Sequence, residues 1–282
     1  MPASPFSSAQ AARESIAVRL KELRLDAGLT MQALADRCGW NKAKTSRIES
    51  ARTTPTDADI RAWCAACGSG DQAADLIASS RTADSMYVEW RRVQRTGLRR
   101  LQHANLPLYQ RTELFRVYSS RVVPGLLQTE DYAHALLSLI ADFRHLPDDA
   151  RAAAIARVDR SHLIRDGHHR VVLLIEEDVL THRIGSDTVM AGQLAHLLTV
   201  MSYPAVSLGV IPRAARRELW GPETFTMFDD KRVHVELLTA KVTVTAPTEI
   251  QLYRRAFTRL SDMAVHGPRA RALISGAIHS LG

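Results

Sequence analysis

The chain of 282 residues is 46% hydrophobic and 24% charged, which allows two domains with cores of their own and excludes a mainly disordered chain. Its formal net charge of +7 and pI near 9.7 favour an anionic partner, nucleic acid first and an anionic membrane surface second. No stretch approaches the roughly 18 apolar residues of a membrane-spanning helix, and residues 1–12 lack the basic and apolar regions of a signal peptide. A cytoplasmic protein without membrane contact is therefore expected.

Apolar residues recur at helical spacing through the first 80 residues. Residues 1–12 are small and polar and are predicted to form a mobile tail. Short helices are predicted within residues 13–27, 30–38, 41–49, 56–67 and 71–79, with Gly28, Gly39 and Gly68 as helix ends. Residues 13–80 are thus predicted to form a compact all-α domain of five helices.

Residues 30–49, TMQALADRCGWNKAKTSRIE, are predicted to form two helices joined by a tight turn. Thr30 and Asn41 are suitable N-caps. Ile48, Ala43 and Thr45 can face the first helix, so that basic and polar side chains of the second helix point away. Such a helix suits the major groove of DNA, where Arg and Lys meet guanine edges and phosphates.

A DNA-binding site follows from this arrangement. Bases and nearby phosphates are expected to meet Lys42, Lys44, Ser46 and Arg47, while Thr30, Gln32 and Arg52 are expected to hold the DNA backbone. Asn41 and Thr45 complete the predicted site.

The order GLTMQALADRCGWNKAKTSRIES at residues 28–50 resembles the XRE family, the lambda-repressor-like helix-turn-helix regulators. Their pattern runs Gly-Leu-Thr, a helix containing Leu-Ala, then Ser-Arg-Ile-Glu in the recognition helix. Two positions depart from it. Ala51 stands where the family usually has Gly after the recognition helix, and Thr45 stands where Ile or Val is more common, which predicts a lightly packed helix pair.

The three cysteines, Cys38, Cys64 and Cys67, all lie in the N-terminal quarter and do not form a secreted disulfide framework. Cys64 and Cys67 form a C-x-x-C inside a predicted helix, without a preceding strand or a second ligand pair. We interpret them as buried core residues, with a redox switch as the alternative.

Residues 81–116 carry eight arginines and three carboxylates. Residues 81–105 are predicted to form a basic, amphipathic linker helix. Its arginines form either the solvated face of a connecting helix or a set of contacts to DNA phosphates beside the reading head.

The second half, residues 106–282, is predicted to be α+β. Short β-branched or alternating runs at 171–175, 206–211, 224–228, 233–235 and 242–244 predict one mostly antiparallel sheet, and helices are predicted at 148–165, 186–202, 247–264 and 268–279. Helices over such a sheet leave a concave face for a ligand or partner. Leu126, Leu127 and Tyr132 are predicted to be core.

The motif PGLLQTEDYA at residues 124–133 resembles the large C-terminal domain, of unassigned function, attached to XRE-type heads in regulators of filamentous, sporulating bacteria. The resemblance continues through Arg157 and Arg160 and along the rest of the chain. Departures are Ser161, where Gln is usual, and the basic AARRELW, where a short Gly-containing turn is common.

No hydrolase, phosphate-binding or zinc motif occurs, so no enzyme activity, cofactor or metal is expected. The densest titratable cluster is Glu176, Glu177, Asp178 and His182, in which Asp178 and His182 are interpreted as a surface ion pair on a helix. His168 and His169 are predicted to lie in a solvated turn.

Two functions remain open. The first is a sequence-specific transcriptional regulator that binds double-stranded DNA, expected as a homodimer because one head covers few base pairs. The second, implied by the resemblance alone, is an antitoxin-like protein whose C-terminal domain sequesters a small protein encoded by a neighbouring gene, with DNA binding for autoregulation.

Overall fold

The computed structural model describes the backbone of residues 5–82, 87–89 and 97–281, and the side chains of residues 14–80 and 97–281. The chain divides into two compact units, Met1–Tyr87 with Thr243–Ile250 and Val88–Val242 with Gln251–Gly282. The expected class, a helical N-terminal domain followed by an α+β domain, is confirmed.

The first unit is helical. Its helices are α1 (Pro5–Asp26), α2 (Met31–Cys38), α3 (Lys42–Glu49), α4 (Asp57–Ala66) and α5 (Ala73–Thr82), with a 3-10 turn at Gly70–Gln72 before α5. The predicted N-caps form: side chains of Thr30, Asn41 and Thr56 accept hydrogen bonds from backbone N–H groups three residues on. Each cap satisfies a donor that the helix itself leaves without a partner.

The helix α1 begins earlier than predicted. It starts at Pro5, so residues 5–12 of the predicted tail are helical, and residues 1–4 lie outside the described part. The physical reason is local, because proline favours the first turn of a helix and the following Ser-Ser-Ala-Gln-Ala-Ala contains no residue that opposes helix.

The core of the first unit is built from the apolar faces of its helices around Trp63. Leu20, Leu34, Ile48, Ile60 and Trp63 are fully buried. The indole N–H of Trp63 donates to the carbonyl of Leu20 at 2.9 Å, so this large side chain is buried without an unpaired polar atom.

From residue 97 to 281 the chain contains helices and strands in mixed order. The helices of this part are α6 (Leu98–Gln110), α7 (Glu130–Arg144), α8 (Ala150–Asp159), α9 (Asp187–Val200), α10 (Pro247–Asp262) and α11 (Gly267–His279). Its strands are β2 (Leu114–Ser119), β3 (Arg170–Glu176), β4 (Val206–Ile211), β5 (Phe225–Phe228), β6 (Arg232–Glu236) and β7 (Ala240–Val244), preceded in the chain by β1 (Tyr87–Glu89). Two of these elements, β7 and α10, span the boundary between the two units.

All five predicted strand segments lie in one sheet of order β1-β7-β6-β5-β2-β3-β4. The sheet is mixed: β2 pairs with β3 and β3 with β4 in parallel, while β2–β5 and β5–β6 are antiparallel. The parallel half arises because helical connections, α7 with α8 and then α9, carry the chain from one strand to the next.

The predicted linker helix over residues 81–105 is wrong as one continuous element. Tyr87–Glu89 is a strand, and α6 begins only at Leu98 after Gly97, whose φ of 94° is incompatible with helix. Asp149 accepts hydrogen bonds from the backbone N–H groups of Leu98 and Arg99, both at 2.9 Å, and so caps α6 from a distant segment. Three of its six arginines, Arg91, Arg92 and Arg95, lie outside the described residues.

The main core of the second unit lies between β2–β4 and the helices α9 and α11, with contributions from Leu173, Leu194 and Ile274. Leu126, Leu127 and Tyr132 belong to it, which confirms them as core residues. On the opposite face of the sheet, α10 packs Phe257 against Phe225 with ring centroids 6.3 Å apart.

Candidate nucleic-acid interface

The helix α3 has one exposed side and one buried side. Thr45 and Ile48 are fully buried, and five positions are exposed: Lys42, Ala43, Ser46, Arg47 and Ser50 directly after it. At 100° per residue these exposed positions share one face of the helix. The single carboxylate of α3, Glu49, is turned inward, so the exposed face is basic and polar.

The surroundings of α3 extend this exposed face. Thr30, Gln32, Asn41 and Arg52 are exposed. Oγ1 of Thr30 accepts from the N–H of Ala33 at 3.1 Å, and Oδ1 of Asn41 accepts from that of Lys44 at 2.9 Å. The first turn of each helix, α2 and α3, also has backbone N–H groups without a partner within the helix, and it carries the positive end of the helix dipole. Both features favour binding of a phosphate group.

Thr45 lies inside the domain and not on the exposed face of α3. Its side chain is completely buried, and its Oγ1 accepts a hydrogen bond from the indole N–H of Trp40 at 3.0 Å. The position between the helices that β-branched apolar residues commonly fill is therefore occupied here by a hydroxyl with a specific partner.

Lys44 forms an ion pair with Asp59, and 32% of its side chain remains exposed. Its Nζ donates to Oδ1 of Asp59 at 2.6 Å and lies 4.5 Å from the centre of the Trp40 ring. Burial opposes ionisation of Asp59, but the hydrogen bonds from Lys44 and Thr56 outweigh it and hold the pKa of Asp59 below its usual range. Lys44 joins α3 to the start of α4.

Ala43 is the position that sequence reasoning missed. It was expected to face α2, yet it is exposed beside Lys42 and Arg47. A methyl group on this face can contact the methyl group of thymine. The angular positions around the helix could have predicted this exposure, since Ala43 lies 200° from the buried Thr45 and one turn from the exposed Arg47.

A buried ion pair fixes the orientation of α3 against α1. Arg24 Nε lies 2.5 Å from Oε1 of Glu49, Nη2 lies 3.1 Å from Oε2, and Nη1 donates to the carbonyl of Leu29 at 2.6 Å. The hydrogen bond to Glu49 raises the pKa of Arg24 above its ordinary value. Removal of one partner from such a buried pair costs about 3–5 kcal/mol.

Ala51 takes the left-handed conformation that the family pattern assigns to glycine. Its φ is 54°, the N–H of Ala51 donates to the carbonyl of Ile48, and the N–H of Arg52 donates to that of Arg47. These two hydrogen bonds form a Schellman motif. The helix end is therefore preserved without glycine, and it places Arg52 next to the exposed face of α3.

The cysteines lie behind this surface. Cys64 is fully buried, and Cys38 and Cys67 are half-buried. Burial raises the pKa of both the Cys38 and the Cys64 thiol to about 11. The thiolate is thus a minor species at neutral pH, which favours the core interpretation over the redox one.

The acidic cluster of the second unit is held by arginines. Glu176 is buried, accepts two hydrogen bonds from Arg217 at 2.8 and 2.6 Å, and accepts one from the hydroxyl of Tyr118 at 2.8 Å. Asp178 pairs with Arg213, and Nδ1 of His182 lies 3.1 Å from the carbonyl oxygen of Arg121. The expected Asp178–His182 ion pair is therefore wrong, and Arg217 of AARRELW anchors its loop.

His169 also differs from its prediction. It is buried, and its Nδ1 lies 2.6 Å from the carbonyl oxygen of Thr112, whereas His168 is exposed.

Within the described residues no three His, Cys, Asp or Glu side chains are grouped to hold a metal ion. None of the helices in those ranges has the length and apolar character needed to cross a membrane.

Two short helices joined at Gly39–Asn41, with a basic outward face on the second, define the helix-turn-helix class of DNA-binding domain. Residues 15–76 match the model of a helix-turn-helix domain. Residues 108–276, more than half of the chain, match a domain of unknown function, DUF5753, and the chain belongs to that family. No curated protein and no solved structure matches it significantly.

Proposed function

We propose that this helix-turn-helix protein is a sequence-specific transcriptional regulator of the XRE type that works in the cytoplasm. The observation that carries the proposal is the exposed face of α3, where Lys42, Ser46 and Arg47 stand together without a carboxylate. Arg47 is proposed to meet base edges from the last turn of the recognition helix. Lys42 and Arg52 are proposed to contact phosphates at its two ends.

The test begins with selection of preferred duplexes from a random pool by the purified chain. Affinities for the selected duplex are then measured by fluorescence anisotropy at several salt concentrations. We expect Arg47→Ala to weaken binding about 10- to 100-fold and to relax the base preference, because a bidentate contact contributes roughly 1–3 kcal/mol. Lys42→Ala should weaken all duplexes alike.

The matched control is Arg269→Ala, which removes the same charge from an exposed position of α11. It should leave affinity and preference unchanged. An Arg47→Ala variant that selects the same duplexes with the affinity of the original chain would contradict the proposed reading role.

We further propose a homodimer on a two-fold operator. The support is geometric, because one short recognition helix covers only a few base pairs, and paired heads must lie about one turn of DNA apart, roughly 34 Å. The selected sequences should then contain an inverted repeat with that spacing between half-site centres.

A second candidate function is the antitoxin-like role, in which the second unit sequesters a small partner protein. Exposed apolar side chains on α7 favour a protein contact: Phe143 is 65% and Leu139 55% exposed, one helical turn apart. Co-purification with the product of the adjacent gene, with Phe143→Asp as the disrupting variant, tests this role. Absence of a complex with the original chain would reject it.

A further inference from the structure

The second unit encloses a cavity that the DNA-binding function does not use. Its volume is about 280 Å³, and it lies between the helices α6, α7 and α8 and one face of the sheet. Val117, Thr226 and His234 line its floor, because the antiparallel registers place Val117 beside Thr226 and Thr226 beside His234. At ~30 Å³ per water, the volume equals that of roughly nine waters.

The side chain of Arg160 lines the cavity with a guanidinium group that has no ion-pair partner among the described residues. The residue is only 6% exposed, and its Nε and Nη1 atoms have no hydrogen-bond partner. Its guanidinium lies 4.2 Å from the centre of the Tyr109 ring, which lines the same cavity. A buried guanidinium with two nitrogens that lack acceptors is costly, so the native fold keeps it for a reason other than stability.

A second guanidinium stands beside the first. Nη1 of Arg157 donates to Oε1 of Gln128 at 2.9 Å, and Nε donates to Oε1 of Gln102 at 3.4 Å. Both partners are neutral amides that leave its charge in place. Burial first, and then the charge of Arg160, lower the pKa of Arg157 to about 10.

The remaining charges around the cavity leave it electropositive. Lys241 adds a third cation, and Glu236, exposed at the rim, is the carboxylate among the lining residues. Burial, with the nearby charges of Lys241 and Arg232, lowers the pKa of His234 to about 3, so this imidazole is neutral at physiological pH. Three cations and one carboxylate give the lining an excess of two positive charges.

The PGLLQT segment forms the wall directly beside the arginines. A Cβ atom on Gly125 would lie 3.7 Å from Cδ of Arg157 and 3.9 Å from Nη2 of Arg160. Buried Gln193 fixes the segment by bonding the carbonyl of Leu127 at 2.7 Å and the N–H of Thr129 at 2.8 Å. The wall also includes apolar and aromatic side chains, among them Leu136, Ile140 and Phe228, together with the neutral polar Asn105 and Ser119.

We propose that this cavity binds a small anionic molecule, a carboxylate or phosphate ester on a compact apolar body, with its acid group between Arg157 and Arg160. The acid oxygens would accept the hydrogen bonds that Nε and Nη1 of Arg160 lack, and guanidinium groups bind carboxylate and phosphate in the same forked geometry. Tyr109 and the apolar wall would enclose the body of the ligand.

The experiment uses benzoate and phenyl phosphate as probes, with benzamide as a neutral molecule of similar shape and inorganic phosphate as the bare anion. Binding to the full chain is measured by calorimetry and by the ligand-induced rise in melting temperature. We expect saturable binding of at least one aromatic acid tighter than about 1 mM, and at least tenfold weaker binding of benzamide. Comparison of benzoate with phenyl phosphate shows whether the site prefers a carboxylate or a phosphate group. If inorganic phosphate binds and neither aromatic acid does, the proposed contact with an apolar ligand body is wrong.

Arg160→Met is the decisive variant, because methionine keeps an apolar stem and removes the unpaired charge. Without ligand its melting temperature should equal or exceed that of the original chain, whereas its affinity for the aromatic acid should fall at least tenfold. Arg269→Met, at an exposed site, should change neither quantity. Failure of both acids to bind the original chain, or unchanged affinity in Arg160→Met, would overturn the proposal without bearing on DNA binding.

Discussion

His234 makes the stability of the second unit depend on pH. Its ring packs 4.7 Å from that of Phe228, and burial together with Lys241 and Arg232 lowers its pKa to about 3. In the unfolded chain histidine has a pKa of about 6.5. Between these two values the unfolded state binds the extra proton, so stability is complete above about pH 6.5 and declines as the pH falls.

We expect the free energy of unfolding of the second unit to fall by about 2 kcal/mol between pH 7.5 and 5 through this residue alone, since each pH unit below 6.5 contributes about 1.4 kcal/mol. Urea unfolding at the two pH values measures it. His234→Gln should flatten the dependence, and His103→Gln, at an exposed site, should not. Equal slopes for both variants would contradict the assignment.

The stability of the helix α3 depends on the left-handed backbone conformation of one residue at its end. Ala51 holds a φ of 54° while its methyl group is buried. A left-handed conformation costs an ordinary residue roughly 1–2 kcal/mol, and a β-branched residue more. Glycine relieves this strain but loses the methyl contact and adds unfolded-state entropy, so its net effect is small.

Ala51→Gly is therefore expected to change the stability of α3 by less than about 1 kcal/mol, and Ala51→Val to lower it by roughly 2 kcal/mol or more. Hydrogen exchange of the α3 amides, followed by mass spectrometry, reports this local free energy. Amides of β3 serve as the internal reference. A valine variant with native protection in α3 would show that the Schellman motif does not set the end of this helix.

On the scale of the whole molecule, the salt dependence of DNA affinity distinguishes a chain that binds as a monomer from one that binds as a dimer. Lys42 and Arg52 are exposed and are the two proposed phosphate contacts, and each phosphate contact contributes about −0.9 to the slope of log K against log salt. Two contacts per protomer predict a slope of about −4 for the proposed dimer and about −2 for a monomer. A slope near zero would show that these cations do not contact phosphates.

Several structural features that depend only on residues close together in the sequence were predicted correctly. Thr30 and Asn41 were recognised as N-caps, because an N-cap side chain bonds a backbone group three residues away. Periodicity likewise placed most strands. The exposed face of α3 followed from the same rule, apart from the phase of Ala43.

What the sequence left open depends on distant partners. Asp59 lies 15 residues from Lys44, Glu49 lies 25 from Arg24, and Thr112 lies 57 from His169. Each of these pairs forms only when two elements pack, so a local pattern could not reveal the ion pair of Lys44 or the burial of His169. Residues 114–119, for which no strand was predicted, form a strand between β3 and β5 for the same reason.

The unpaired guanidinium of Arg160 also bears on the lifetime of the protein in the cell. A ligand that supplies its missing acceptors binds the folded chain only, so occupancy lowers the population of opened molecules. Proteases act on that opened population, and a difference of 1–2 kcal/mol changes abundance several-fold. Cells rich in the ligand would therefore keep more of the regulator, and the supply of a small acid would set the number of molecules available to bind DNA.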